Sequence, residues 1–288
     1  MGRQWHLLVV LTVFAASATL AADVPHFVSP RKFWRQLVYQ VKPLPPEKVV
    51  ALTFDDGPWG ASTRQVLQIL KEEEAKATFF ILGKHALMYP DIIADIVKGG
   101  HAVGNHSWSH PYQPVDPKVA KQEIENTSAL IAKQSQAQTR LFRPPGGNLT
   151  TGLVDYAKSK NYAVIMWSVD PHDTRPNTTT ADIVERTLKN VKPGSIILLH
   201  DGGGDRATTR KALPTLIRRL RQKGYRFVTV PELLQLAVKA PPPKPETPTP
   251  QPTITPTPTP EGLPTPQLTP SPPSRSEPQL QPRSLPPR

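Results

Sequence analysis

The chain has 288 residues, 38% of them apolar and 20% charged, with a net charge of +12 and no cysteine. That length and apolar share support a sizeable core and exclude a wholly disordered chain. The absence of thiols excludes a disulfide framework, a thiolate metal site and a Cys nucleophile, so any metal must be held by His, Asp or Glu.

The first six residues carry Arg3, an apolar run from Leu7 to Ala16 follows, and small residues continue to Ala22. This order predicts a secretory signal peptide over 1–22, because the unbroken run is shorter than the roughly 20 residues that span a bilayer. An N-terminal extension over 23–48 leads into the main domain, 49–239. There, short runs rich in β-branched and aromatic residues alternate with longer stretches of helical period. The strands are expected at Val49–Phe54, Thr78–Leu82, Ala102–Asn105, Leu141–Arg143, Ala163–Val169, Ser195–His200 and Arg226–Val230. Their helices are expected near Thr63–Glu74, Asp91–Lys98, Pro117–Gln136, Gly152–Ser159, Thr180–Asn190, Thr208–Lys223 and Pro231–Lys239. Seven strand-then-helix units predict an α/β fold with parallel strands, either doubly wound or closed into a barrel, with ligands at the carboxyl ends of the strands. From 240 onward, repeated Thr-Pro and Pro-Pro steps remove backbone donors and fix φ, so 240–288 is expected to be a disordered, polyproline-like tail.

The residues able to do chemistry fall where that architecture puts a site. Asp55-Asp56 follows the first expected strand and His106 the third, Arg143 closes the fourth, Asp170 and Asp173 follow the fifth, and His200-Asp201 closes the sixth. His106 and His110 have the i, i+4 spacing that aligns two imidazoles on one side of a helical turn, a pattern shared by metal ligands and by ordinary surface histidines. A carboxylate from another strand end completes a His-His-Asp set with open positions for water and substrate. Asp55 and Asp56 offer it. Neighbours on a strand point in opposite directions, so one can coordinate an ion while the other faces the water to be activated. The run Asp55-Asp56-Gly57-Pro58 also has the composition of an ordinary turn.

Five segments taken in order resemble the motifs of polysaccharide deacetylases of the NodB-homology type, carbohydrate esterase family 4. They are Thr53-Phe54-Asp55-Asp56-Gly57-Pro58, His106-Ser107-Trp108-Ser109-His110, Arg143-Pro144-Pro145-Gly146-Gly147, Trp167-Ser168-Val169-Asp170-Pro171-His172-Asp173 and Leu198-Leu199-His200-Asp201. The resemblance implies a distorted (β/α)7-type barrel and an exported, metal-dependent hydrolase that removes N-acetyl or O-acetyl groups from a carbohydrate polymer. N-acetylglucosamine-containing chains are the expected substrate and acetylated xylan the alternative. A non-catalytic wall-binding protein that keeps its metal for structure is a second alternative. Carried onto this chain, the resemblance makes Asp55 the general base, His200 the general acid, and Asp56, His106 and His110 the ligands of a divalent ion, zinc with cobalt or nickel as alternatives. Arg143 and Asp173 are implied to orient the base and the acid. Leu198 is implied to line the acetyl pocket, and the Gly146 backbone N–H to stabilise the oxyanion. Two positions depart from the family pattern: Gly146 stands where an aromatic is common, and Thr174 where Trp is common. Trp59 and Trp108 are the candidates to replace the lost stacking surface, while His85, His101 and His172 are read as structural or exposed.

Other sites are excluded on chemistry. The glycines after His200 lack the Gly-Lys-Ser/Thr ending of a phosphate loop, so no nucleotide is expected. No Gly-x-Ser-x-Gly elbow is present. The basic residues are scattered along helices rather than clustered, so nucleic acid is not an expected partner. The expected partner is the polysaccharide itself, in a periplasm, in a wall or outside the cell, with the tail as a further wall contact.

Overall fold

Residues Val49–Asp55 form a strand in which all seven side chains are buried, as a continuous apolar run covered on both faces demands. The computed structural model describes residues 26–44 and 47–238. The expected signal peptide and Pro/Thr-rich tail lie outside the described residues. In chain order the elements are β1 His26–Phe27, β2 Leu37–Val38, β3 Val49–Asp55, α1 Gly60–Glu72, β4 Ala77–Ile81, α2 Gly83–Met88, α3 Pro90–Lys98, β5 Ala102–Asn105, α4 Pro117–Ser135 and β6 Gln138–Thr139. They continue with β7 Leu141–Phe142, α5 Leu153–Ser159, β8 Ala163–Ile165, α6 Thr180–Asn190, β9 Ser195–His200, α7 Ala207–Gln222, β10 Arg226–Phe227 and α8 Val230–Gln235.

The main sheet runs β9-β3-β4-β5-β7-β8-β2, every paired strand parallel, with β10 on the first residues of β3. Past the end of β8 the chain returns to the start of the sheet, where Val169 forms a single parallel bridge to Ile197 of β9. Just past β2, Gln40 makes a second, antiparallel bridge to Ser195 of β9, so the sheet curls into a barrel closed by two isolated bridges, the distorted (β/α)7-type form. The segment before β3, expected as an extension, contributes β1 beside β6 and β2 beside β8.

Period two along β3 sorts its side chains between two cores. Val50, Leu52 and Phe54 pack outward with Phe79, Ile81 and the apolar faces of α1, α3 and α7. Val49 and Ala51 face inward with Phe80, Leu141, Ile165 and Ile196. Thr53 and Asp55 continue that inner face toward the carboxyl end of the strand, so the alternation that buries the core also turns a carboxylate into the barrel mouth. Helix starts follow local chemistry. Asp116 accepts from the amides of Lys118 and Val119 at the start of α4, and Thr179 and Asp182 form a reciprocal capping box at α6.

Candidate active site

Asp55 ends β3, and Asp56 leaves it with a left-handed φ of 70°. That rotation ends the strand alternation. The two carboxylates do not diverge as expected from an extended backbone; both approach His106 Nε2, Asp55 Oδ2 at 3.7 Å and Asp56 Oδ1 at 3.5 Å. Asp55 Oδ1 accepts a 2.8 Å hydrogen bond from Arg143 Nη1, and Asp56 Oδ1 lies 3.4 Å from His110 Nε2.

His106 and His110 converge, but not on a helix. Residues 106–110 are irregular, and the i, i+4 spacing works because Ser107 and His110 both take left-handed φ, 72° and 63°. Side chains hold that loop. Asn105 Oδ1 accepts from the Ser107 amide, while Glu123 on α4 accepts from the amides of Trp108 and Ser109 and from the Ser109 hydroxyl. Sequence reasoning missed Glu123. Its signal is a carboxylate in the buried stripe Ala120, Glu123, Ile124, Thr127, Ile131 of α4.

Arg143 is fully buried and every arm of its guanidinium is used. Nε donates to Ile165 O at 3.0 Å, Nη2 to Met166 O at 3.0 Å, and Nη1 to Thr53 Oγ1 as well as to Asp55. The guanidinium carbon sits 4.1 Å from the centre of the Phe80 ring. Burial disfavours its charge and pushes its pKa down, against the opposing pull of Asp55.

Across the mouth, His200 closes β9. Its Nδ1 lies 2.8 Å from Asp173 Oδ1, and its backbone amide and Thr209 Oγ1 donate to Asp173 Oδ2 at 2.9 Å each. Asp173 as an acceptor takes the Nδ1 proton, leaving Nε2 as the other titrating atom. Burial works against the imidazolium, but the hydrogen bond and charge of Asp173 raise the pKa to about 8. The next residue, Asp201, has no exposed surface, accepts from Thr63 Oγ1 and has an Oδ1 without a partner among the described residues. Burial pushes its pKa to about 7.

Asp55, Asp56, His106, His110 and His200 open into a cavity of about 640 Å³ that also reaches Leu198, Gly146, Trp59, Trp167 and Thr174. Gly146 takes φ 58°, and a β-carbon there would stand 3.3 Å from the Tyr112 ring. Tyr112, unmarked in the sequence reading, thus supplies an aromatic beside the position where the family commonly has one, its ring centre 4.6 Å from that of His110. Of the two tryptophans considered, Trp59 lines the cavity, whereas Trp108 packs on Gly83, where even a β-carbon would clash at 2.2 Å. His85, read as structural, lines the cavity and hydrogen-bonds the Asp56 carbonyl through Nδ1 at 2.7 Å. His101 is buried elsewhere, with its Nδ1 3.3 Å from the Ala77 amide, and His172 pairs with Asp170.

Asp56, His106 and His110 fit a cation. One ligand atom from each lies within 4.8 Å of the others, and Asp56 Oδ1 is buried with no hydrogen-bond partner among the described residues. His106 Nδ1 is engaged with the Arg143 carbonyl at 2.8 Å, which leaves Nε2 as the free ligand atom. Burial and the neighbouring His106 lower the His110 pKa to about 4, keeping it neutral. Burial of Asp56 opposes its ionisation, yet His106, His200 and His110 hold its carboxyl below the usual carboxylate range. The His106 imidazole is likewise pulled upward by Asp55 and Asp56 against its burial. The cluster therefore favours one positive charge at its centre.

The comparisons agree with this geometry. The polysaccharide deacetylase family model matches residues 42–165. A peptidoglycan-N-acetylglucosamine deacetylase of Bacillus cereus is 40% identical over 193 residues, covering 66% of this chain and 89% of that protein. The crystal structure of the Bc1960 peptidoglycan N-acetylglucosamine deacetylase superimposes with a TM-score of 0.66 and 33% identity over 71% of this chain and 94% of that one. A family 4 acetyl xylan esterase from Clostridium thermocellum, solved with a cobalt ion, reaches a TM-score of 0.60 and 35% identity over 66% of this chain and 91% of that one. The chain belongs to the polysaccharide deacetylase family, carbohydrate esterase family 4, whose enzymes are hydrolases that use a divalent metal.

Proposed function

We propose that the protein is an exported enzyme that hydrolyses N-acetyl groups on N-acetylglucosamine-containing wall glycan, releasing acetate without a covalent intermediate. The observation that carries this reading is the placement of Asp55 and His200 at one cavity with the Asp56, His106 and His110 cluster, each carrying its own orienting partner. A divalent cation held by Asp56, His106 and His110, zinc with cobalt and nickel as alternatives, supplies Lewis acidity that lowers the pKa of water and polarises an acyl carbonyl.

The residues divide the proton work. Asp55 is the base: Arg143 anchors its Oδ1 and leaves Oδ2 to take a proton from attacking water. His200 is the acid: Asp173 keeps its imidazole protonated near neutrality, ready to give a proton to the departing nitrogen. Leu198 and Gly146 line the same cavity; Leu198 is the wall for the acetyl methyl in this reading, and the Gly146 N–H the donor to the oxyanion. Tyr112, Trp59 and Trp167 supply apolar ring surface for sugar faces.

The similarity to enzymes named for peptidoglycan favours the amide substrate, and the acetyl xylan esterase among the relatives favours an O-acetyl ester as the second reading. The proposed organisation is a signal peptide over 1–22, an extension over 23–48, the catalytic domain over 49–239 and a tail over 240–288 that contacts the wall. Acetate release from N-acetylated and O-acetylated glycans, with and without chelator, tests the assignment. Chelator-sensitive release from the N-acetylated glycan is expected. Metal-dependent glycan binding with no acetate released would replace the enzyme by a binding protein.

A further inference from the structure

His106 and His110 each have hydrogen bonds behind them, and Asp56 is held differently. His106 Nδ1 is engaged with the Arg143 carbonyl, and Glu123 holds the loop that carries His110. Asp56 Oδ1 has no hydrogen-bond partner among the described residues. Its aim toward His106 depends instead on the backbone, whose φ of 70° lies in the left-handed region that costs free energy for residues other than glycine. An extended Asp56 would resume the alternation of β3 and turn its carboxylate away from the face that carries Asp55. The rotated form needs support from outside the strand.

Two groups supply it. On one side His85 of α2, 5% exposed, has its Nδ1 2.7 Å from the Asp56 carbonyl. A carbonyl only accepts, so the imidazole donates. On the other side the segment after β9 packs bare backbone against Asp56. A β-carbon on Gly202 would overlap the Asp56 carbonyl, and one on Gly203 would stand 2.6 Å from Asp56 Oδ2. Arg206 pins both glycines: Nε donates to Gly202 O at 2.8 Å and Nη2 to Gly203 O at 2.9 Å. Asp201, just before them, donates its amide to the Asp55 carbonyl at 3.2 Å. The surface packed on Asp56 is thus fixed at both ends, by β3 at one and by a guanidinium at the other.

We infer that His85 and Arg206 are positioning residues that hold Asp56 in its rotated form and so aim its carboxylate into the cation site, an inference that rests on the metal reading. Arg206 acts through shape rather than charge, and the two have opposite signs. A guanidinium across Gly203 from Asp56 repels a cation bound there, so removal of its charge alone tightens metal binding. Removal of its hold on the glycines loosens Asp56 and weakens metal binding.

The test is calorimetric titration of the metal-free full chain with zinc. His85→Leu and Arg206→Gln are each expected to bind about tenfold more weakly, and the double variant about 100-fold, the scale on which loss of outer supports weakens a metal site. His85→Asn retains an N–H donor, and Arg206→Lys retains the charge and one donor; each is expected to recover part of the loss. The visible absorption of the cobalt-loaded protein reports the ligand arrangement itself and is expected to change in His85→Leu and Arg206→Gln. Should either of these fail to fold, the Asn and Lys variants carry the same comparison in graded form. Wild-type zinc affinity in the double variant, or tighter binding by Arg206→Gln, overturns the proposal. A wild type that binds neither zinc nor cobalt defeats the metal reading instead. Crystal structures of the metal-free wild type and double variant then decide this inference. Asp56 rotated in the first and extended in the second supports it, and the same conformation in both refutes it.

Discussion

Arg143 Nη1 lies 2.8 Å from Thr53 Oγ1 and 2.8 Å from Asp55 Oδ1, so one buried nitrogen ties together two inward residues of β3. The Thr53 hydroxyl donates a hydrogen bond to Ile197 O at 2.7 Å, which links β3, β9 and the Arg143 segment into one network. Asp55, the proposed base, is therefore held by the barrel interior rather than by a loop.

Arg143→Lys keeps a charge but loses the fork that reaches Ile165, Met166 and Asp55 together. Acetate release is expected to fall about 100-fold, the scale of a small misplacement of a reacting group. Arg143→Met leaves the Asp55 carboxylate buried without its cation and is expected to cost about 3–5 kcal/mol in denaturant unfolding.

Asp55→Asn removes the proposed base without touching the three proposed ligands Asp56, His106 and His110. Turnover is expected to drop by about 10²–10⁴-fold, while bound metal measured by mass spectrometry or atomic absorption stays at the wild-type level. Full activity in this variant would remove Asp55 from the mechanism.

As the proposed acid His200 works in its protonated form, so activity is expected to decline as pH rises through its raised pKa of about 8. Asp173→Asn removes the largest upward influence and leaves burial, which lowers the pKa. The alkaline limb of the pH–kcat profile is expected to move toward neutral pH. An unmoved limb would detach His200 from the acid step.

Glu123 holds the loop that carries His110 through three hydrogen bonds. Glu123→Ala is expected to weaken metal affinity about 10–100-fold, with kcat largely recovered at saturating metal. Calorimetric titration of the stripped protein with zinc measures the first effect and kinetics at high zinc the second.

Asp201 holds its proton in the folded chain up to about pH 7, whereas an exposed aspartate loses it near the ordinary value of 3.8. Between those values the folded state binds more protons than the unfolded one, so this group's contribution to stability is complete below 3.8 and declines as pH rises to about 7. Asp201→Asn removes that decline. Its denaturation midpoint relative to the wild type is expected to climb between pH 4 and pH 7, and a constant difference would contradict the neutral buried carboxyl.

The strand ends were legible because each strand is a short β-branched or aromatic run that stops at a charged or turn residue, as at Phe54-Asp55 and Leu199-His200. Every helix of several turns showed its period. What escaped was either too short to show a period or fixed from a distance. Helix α2 has six residues, and β1, β2 and β6 have two each. The spacing of His106 and His110 signalled convergence but not its cause, because left-handed backbone at Ser107 and His110 depends on Asn105 and Glu123. Tyr112 carries no pattern in sequence; its value arises from the space left by Gly146.

The left-handed φ values at Asp56, Ser107 and His110 constrain heredity as well as shape. Residues branched at the β-carbon are penalised at such positions, so the tolerated alphabet there is narrowed before any ion or sugar is considered. A saturation library at Ser107, selected only for folding, should return glycine and asparagine and discard valine and isoleucine. Part of the invariance to be found around this centre would then record backbone geometry rather than chemistry.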